Sequence, residues 1–451
     1  MNFGILILLL ISIIKIAWDA VILNINMIRS WHWSQKRSII ANDNNDLDLK
    51  LFLLLPVYKE QSIICDTIDY MLKLPFNGVK KIIILTTEKE IAENNGNING
   101  TTIDVVKKYL KKFNILYDVV EIFHYPYTEG GKSEQLNYFL NSMDSKELNS
   151  SSLEYIGIYD ADSTPEYGTL QELKQIIDCH KLSGEEMPLV IQQPSIFVKN
   201  FNKVKFYSKM EALLMTRWVL GHEIRTMRES CEKLPDCKTP YAYCVGHGLF
   251  FELEFITSIG GFPSPYDDVN LGQRLSICGI PILPMKHFDI CEVAPSIKDI
   301  VIQSSRWFCG GFIWEEFKRS KDGILKANKI RRYTMLIKGF VDVFSWIHYM
   351  IAFVTSVILA SLGIIEFLWI VVLMAFLDYG IGMLIMLIIN KQMNRQILNN
   401  KKISTYKSIM LILLSPVRGL VRGLGPILYL LKKLKLLSRK NNIYKKPGRT
   451  G

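Results

Sequence analysis

The chain has 451 residues, of which 49% are hydrophobic and 22% charged, a balance too apolar for an ordinary soluble domain of this size. Its net charge of +11 invites a nucleic-acid partner, but residues 391–451 carry 15 Lys and Arg and no acidic residue. That segment exceeds the whole net charge, so the remaining body is mildly acidic and offers no basic face for a polyanion.

A basic run next to apolar segments reads as a cytoplasmic membrane flank; a merely solvated tail is the alternative. Eight scattered cysteines without a CxxC pair argue against a zinc site and for reduced thiols in a cytosolic domain.

Taken in chain order, the first element is an apolar stretch from Phe3 to Leu23, long enough to cross about 30 Å of hydrocarbon. Lys15 and Asp19, four apart, can pair on one helical face. A cleaved signal peptide is disfavoured, because a basic leader and a small-residue cleavage site are both missing. Arg29, Lys36 and Arg37 follow, which places the next segment in the cytoplasm.

From Lys50 to about Ile330, short apolar runs alternate with helical patterns. LKLFLLLP, KKIIILTT, YDVVEIF, EYIGIYD and PLVIQQP read as strands. Helices fit Ser62–Lys73 and Thr102–Lys112, and another starts near Lys132. The expected fold is α/β with a mostly parallel sheet, whose ligands sit beyond the carboxyl ends of the strands. The Asn-rich run at Asn94–Asn99 reads as a surface loop.

Residues 337–390 are almost continuously apolar, with Gly363 near the middle, and fit two membrane spans. Glu366 and Asp378 inside them are expected to face protein or the interface. Residues 409–431 are apolar but interrupted by Pro416, Arg418 and Arg422. A re-entrant hairpin keeps the basic tail inside, whereas a fourth span puts it outside.

Four polar clusters follow the strands. Tyr58 and Glu60, after the first, suit a nucleobase by stacking and hydrogen bonding. Asp160 and Asp162 form a DAD turn after an apolar strand, where two carboxylates can hold a hard divalent cation and, through it, a diphosphate. No glycine-rich lysine loop is present for that task. Asp267 and Asp268 precede an amphipathic run; one can act as a general base, and an N-cap role is the alternative, with room for both. In QSSRW, Gln303, Arg306 and Trp307 share one helical face. Arg can clamp a diphosphate and Trp can stack on a sugar, although a lone Arg-Trp on an interfacial helix also serves as an anchor.

Taken together, PVYKE, GGKSEQLNYFL, DAD, IQQP, GHG with IGGF, DDVNLGQRL and QSSRW resemble the family 2 glycosyltransferases, in particular the membrane polysaccharide-synthase branch of cellulose, chitin and hyaluronan synthases. The resemblance covers roughly residues 50–317 and the order of membrane segments. It implies a GT-A type domain at 45–300, a membrane helix at 1–28 and the QxxRW and interfacial region at 301–335. It also implies two spans at 336–390, the hairpin or span at 405–432 and a basic tail at 433–451.

The resemblance further implies donor contacts from Tyr58, Glu60, Lys132, Asp160, Gln303 and Arg306, and a Mg²⁺ or Mn²⁺ ion on Asp160 and Asp162. Asp268, next to Asp267, becomes the base, while Trp307 and Gln193 with Pro194 line the acceptor path. The partners implied are a nucleotide-sugar donor, most simply a UDP-sugar, a saccharide or lipid-linked acceptor, membrane lipids and a second copy or export partner. The expected location is the cell membrane, multi-pass, with the catalytic domain cytoplasmic and processive polymer synthesis the leading activity. Three positions depart from the family pattern: Lys59 in place of Asn, Thr86-Thr87-Glu88 in place of an Asp, and Asn270 in place of an acidic residue.

Overall fold

The computed structural model describes residues 3–37, 49–116, 118–143, 153–322, 324–396 and 403–434. The far end of the expected basic tail, 435–451, lies outside the described residues, as does the link at 38–48.

Among the described residues nine strands form: β1 Leu49–Pro56, β2 Val79–Thr87, β3 Val120–Tyr125, β4 Leu153–Ile158, β5 Val190–Gln192, β6 Ser195–Ile196, β7 Leu249–Glu252, β8 Leu283–Pro284 and β9 Asp289–Ile290. Seven make one sheet in the order β3-β2-β1-β4-β7-β5-β8. β1 pairs in parallel with both β2 and β4, and β2 with β3. β7 runs antiparallel to both β4 and β5. The five expected strands are all present, and the chain adds short ones that carry too few residues to show alternation. This is a GT-A-like fold with a mostly parallel mixed sheet.

The period of two explains why the middles of β1 and β2, Leu51–Leu55 and Ile82–Leu85, are apolar without alternation. Leu49, Leu51, Leu53 and Leu55 of β1 share one core with Ile82 and Ile84 of β2. The intervening Phe52 and Leu54, with Ile83 and Leu85, belong to a second core on the other face. Helices on both faces thus remove the β1 side chains from Leu51 to Leu55 from water, at about 1.5–3 kcal/mol for each fully buried leucine.

The first helix runs Phe3–Gln35, well past the expected Leu23, because Asn24, Asn26, Ser30 and Ser34 are buried against the protein rather than exposed to a membrane. It docks on a helix that sequence reading passed over, Phe206–Trp218, which continues through a π turn at Val219–Glu223. Gly221 lies so close to the first helix that a Cβ there would be 2.6 Å from the Leu23 carbonyl oxygen. Arg37 closes the same joint with two hydrogen bonds to Glu166, 3.1 and 2.8 Å.

Among the described residues two helices, Phe3–Gln35 and Glu366–Asn394, are long and apolar enough to cross a membrane. Two bent pairs, Lys329–Phe344 with His348–Ser361 and Thr405–Leu414 with Val417–Lys433, bring the number to four if each is one span. Gly363 makes the expected turn, at φ +90°. At Pro416 the last pair meets at 52°, a kink that redirects the chain without reversing it.

Lys15 pairs with Asp19 as expected, at 2.6 Å. Asp378 does face protein, bonded to Arg217 and Tyr349, and Arg418 forms a two-pronged pair with Glu211 at 2.9 Å on each prong. Glu366 instead starts its helix at an exposed position.

Candidate active site

The carboxyl ends of β1 and β4 meet three loops. The DAD turn leaves β4, with Ser163 N–H bonded to the Asp160 carbonyl at 3.0 Å. Lys132 opens the helix Lys132–Met143, and Gly246 belongs to the loop entering β7. Lys132 Nζ lies 2.9 Å from Asp160 Oδ1 and 4.0 Å from Asp267 Oδ2, and it donates to the Gly246 carbonyl. Burial opposes the charge on Lys132, but Asp160 and Asp267 outweigh it and raise its pKa. Asp267 is pushed up to about 7 by burial first, against the pull of Lys132, and further by Asp268 and Asp160.

Asp268 caps the helix Val269–Cys278, its Oδ1 accepting the Val269 N–H at 2.7 Å. Its Oδ2 points at Gly246, where a Cβ would lie 2.8 Å away; glycine is the side chain that leaves this carboxylate room. The structure therefore gathers Lys132, Asp160, Asp267 and Asp268 into one cluster of three carboxylates around one ammonium.

QSSRW lies on the helix Ile297–Gly310, as its spacing predicts. Ser304 and Ser305 are buried beneath the helix Val417–Lys433, where Gly425 lets the two backbones meet. Trp307 is 41% exposed, and Gln303 and Arg306 are partly exposed, with no hydrogen bond or ion pair to other described residues. The Tyr266 hydroxyl, one residue before the acidic pair, meets Cys309 Sγ, and Gln273 Nε2 donates to the Gly310 carbonyl at 3.3 Å. These contacts join the acidic loop to the end of the QSSRW helix.

The first cluster is held together by two acidic side chains, Glu93 and Glu90. The Tyr58 hydroxyl and Lys59 both engage Glu93, while Glu60 is 3% exposed and its N–H donates to Thr102 at 3.0 Å. The buried Glu90 carboxylate, which sequence reading missed, accepts from Lys59 N, Gln61, Thr102 N and the Thr102 hydroxyl, and holds the loop. Lys59 occupies the left-handed region at φ +57°, a conformation in which Asn is comfortable and Lys is not. At the second-strand departure, His124 bridges Thr86 at 2.9 Å and Glu88 at 3.0 Å.

Gln193 is fully buried, with Oε1 taking the Tyr159 hydroxyl at 2.6 Å and Nε2 donating to Thr169 at 2.8 Å. Both ends of its amide are used inside the protein, so it supports the GHG loop from beneath and presents no free group to an acceptor. Pro194 contributes its carbonyl to Asp289 N–H at 2.9 Å. Asp162 is anchored through its carbonyl, which accepts Lys199 Nζ at 2.6 Å.

An α/β sheet of this order, with an acidic turn after β4 and a second acidic pair facing it, defines a glycosyltransferase of the GT-A-like class. The model of the glycosyl transferase family group 2 matches residues 156–387, and the chain belongs to that family. A mannosyltransferase from Pyrobaculum calidifontis, solved with GDP-Man and Mn²⁺, shares the fold with a TM-score of 0.50 at 14% identity, over 94% of this chain and 99% of that one. S. aureus TarS matches 61% of this chain and 44% of its own with a TM-score of 0.34 at 13% identity. Glucosyl-3-phosphoglycerate synthase from Mycobacterium tuberculosis, solved with Mn²⁺, UDP and phosphoglyceric acid, matches 55% and 70% with a TM-score of 0.29 at 15% identity. A search of curated proteins returns no match.

Proposed function

We propose that the protein is a membrane-bound, inverting glycosyltransferase that moves a sugar from a nucleoside-diphosphate donor to a growing saccharide at the cytoplasmic membrane surface. The observation that carries this reading is the meeting of Lys132, Asp160, Asp267 and Asp268 at the strand ends. A relative in fold, the Pyrobaculum mannosyltransferase, binds GDP-Man and Mn²⁺.

The all-oxygen donor set of Asp160 and Asp162 fits a hard divalent cation, Mg²⁺ or Mn²⁺. When bound, such an ion supplies positive charge for the donor diphosphate. Lys132 leaves Asp160 for the donor phosphates. Arg306 and Gln303, unengaged by other described residues, clamp the diphosphate, and Trp307 offers an exposed face to the acceptor sugar. Asp268 removes the acceptor hydroxyl proton through Oδ2, while the Val269 N–H fixes the other oxygen. The deprotonated oxygen attacks the anomeric carbon opposite the nucleotide, so configuration inverts. Tyr58, half-exposed, borders the base while the buried Glu60 supports the loop behind it, and UDP-sugars are the first donors to try.

A second reading, transfer of one sugar to a lipid-linked or short acceptor, is favoured by a specific observation. A polar path through the membrane needs unpaired polar side chains, whereas Asp378 and Arg418 in the apolar C-terminal half are locked in pairs with Arg217 and Glu211. The cavity they line, with Asp19, His348 and Arg422, has a volume of about 10 Å³, room for one water.

The test is to give purified protein in nanodiscs a panel of radiolabelled nucleotide sugars with Mn²⁺, then size the products. Long chains at limiting enzyme support extension, and single-sugar products support the second reading. Loss of all transfer in EDTA is expected under both, and undiminished transfer in EDTA overturns the metal assignment.

A further inference from the structure

Behind the DAD turn lies a second group of ligand-type side chains that the proposed transfer does not use. His247, Asp289 and Cys291 converge from two separate stretches of chain, each with one ligand atom within 4.8 Å of the others. His247 Nδ1 is 2.8 Å from Asp289 Oδ2 and 3.8 Å from Cys291 Sγ, and Cys291 Sγ is 3.6 Å from Asp289 Oδ2. Asp289 is fully buried, and its other oxygen is already taken by Thr164 N–H at 2.8 Å, so Oδ2 is the atom free to point at the group. Cys291 forms no disulfide.

We infer that this triad is a transition-metal site, with Zn²⁺ the ion its chemistry selects. The argument is one of donor type and spacing. Thiolate, imidazole and carboxylate together suit a borderline-soft ion, whereas Mg²⁺ and Mn²⁺ prefer all-oxygen sets. Tetrahedral zinc, with bonds of about 2.0–2.3 Å, places ligand atoms about 3.3–3.6 Å apart. The two sulfur distances already lie near that range, and only the His247–Asp289 contact must open, by about 0.5 Å. Metal binding expels the Cys291 thiol proton and leaves the His247 ring proton on Nε2. A water completes the fourth position.

The site is a brace for the donor pocket. Asp289 takes the N–H of Thr164, two residues past Asp162. Lys199 donates its N–H to the Cys291 carbonyl at 3.0 Å and its Nζ to the Asp162 carbonyl at 2.6 Å. His247 is flanked by Gly246, which touches both Lys132 and Asp268. One ion would therefore fix the DAD turn, the GHG loop and β9 to one another. The missing CxxC is no obstacle, because the segment 193–196 brings the two residues together: Gln193 N–H donates to the carbonyl of Gly248, next to His247, at 2.7 Å, and Cys291 N–H donates to the Ile196 carbonyl at 2.8 Å.

Cobalt substitution tests this on the full-length protein in detergent. After chelation, Co²⁺ is titrated in and the near-ultraviolet thiolate-to-cobalt charge-transfer band is followed. One equivalent should bind with that band and be displaced by Zn²⁺. Cys291→Ser and His247→Gln should abolish the band while circular dichroism stays unchanged, and Asp162→Asn should weaken Mn²⁺-dependent donor binding yet keep it. Wild-type protein that binds Co²⁺ without a thiolate band overturns the inference, whatever the variants do. So does a band that survives Cys291→Ser. Neither result bears on the transfer reaction, which is read separately by donor turnover.

Discussion

Replacing Lys132 by Met separates the two tasks given to this lysine. Its Nζ is 2.9 Å from Asp160 Oδ1 and 4.0 Å from Asp267 Oδ2. The side chains of Lys132 and Asp160 are 25% and 36% exposed, so the pair lies between a surface bridge of about 0–1 kcal/mol and a buried one whose disruption costs about 3–5 kcal/mol. We take about 1.5 kcal/mol. In the metal-free protein, Lys132→Met leaves three carboxylates facing one another, and stability should fall by about that amount. A divalent cation at Asp160 must displace the ammonium in the wild type but not in the variant. Manganese should therefore bind about tenfold more tightly to the variant, since about 1.4 kcal/mol is a factor of ten. Donor turnover should nonetheless drop, because the ammonium that meets the phosphates is gone. Manganese binding is read by electron paramagnetic resonance and stability by thermal unfolding with and without EDTA. Unchanged or weaker Mn²⁺ binding in the variant would refute the reasoning, because it would mean that Lys132 does not compete for the metal carboxylate.

Asp268→Asn keeps the helix cap and removes the base, so turnover should fall at least about a hundredfold with donor affinity nearly unchanged; near-normal turnover would move the role to Asp267. Asp267, raised from 3.8 to about 7, holds a proton in the folded state that the unfolded chain releases, so its contribution is present below about pH 4 and lost as pH rises to about 7. Asp267→Asn should accordingly flatten the metal-free stability profile between those limits, as followed by denaturant unfolding. Lys59→Asn should relieve the left-handed strain at φ +57° and stabilise by up to about 1 kcal/mol, a gain visible as a higher melting temperature; a lower one would show that the exposed Lys59–Glu93 pair outweighs the strain. Asp378→Ala leaves Arg217 buried without its partner and should destabilise by about 3–5 kcal/mol, measurable as early loss of monodisperse protein on heating in detergent.

The sequence by itself determined the parts whose physics is local. Short apolar runs marked β1, β2 and β4, because the middle of a strand covered on both faces needs no polar side chains, whereas β3 lies at the sheet edge with Glu121 and His124 half-exposed. The order of DAD, DD and QSSRW marked the groups to which we assign the reaction, because side chains at strand ends and on one helix face are positioned by a few bonds of chain. The Lys15–Asp19 and Gln303–Trp307 spacings were equally readable from helical geometry.

What only the tertiary structure decided are the relations between distant segments. Gln193 carries an amide suited to an acceptor path, yet Tyr159 and Thr169 consume both its ends. Glu90 gave no motif, yet its burial beneath the first loop makes it the hub of four hydrogen bonds. Asp378 and Arg418 in the apolar C-terminal half find their partners in Arg217 and Glu211 on the helix Phe206–Trp218, which no local pattern announces. In each case the side chain's partner lies tens to hundreds of residues away, and a polar group's role depends on whether water or protein satisfies it. Periodicity and spacing carry no information about that choice, because it is made only when the chain closes on itself.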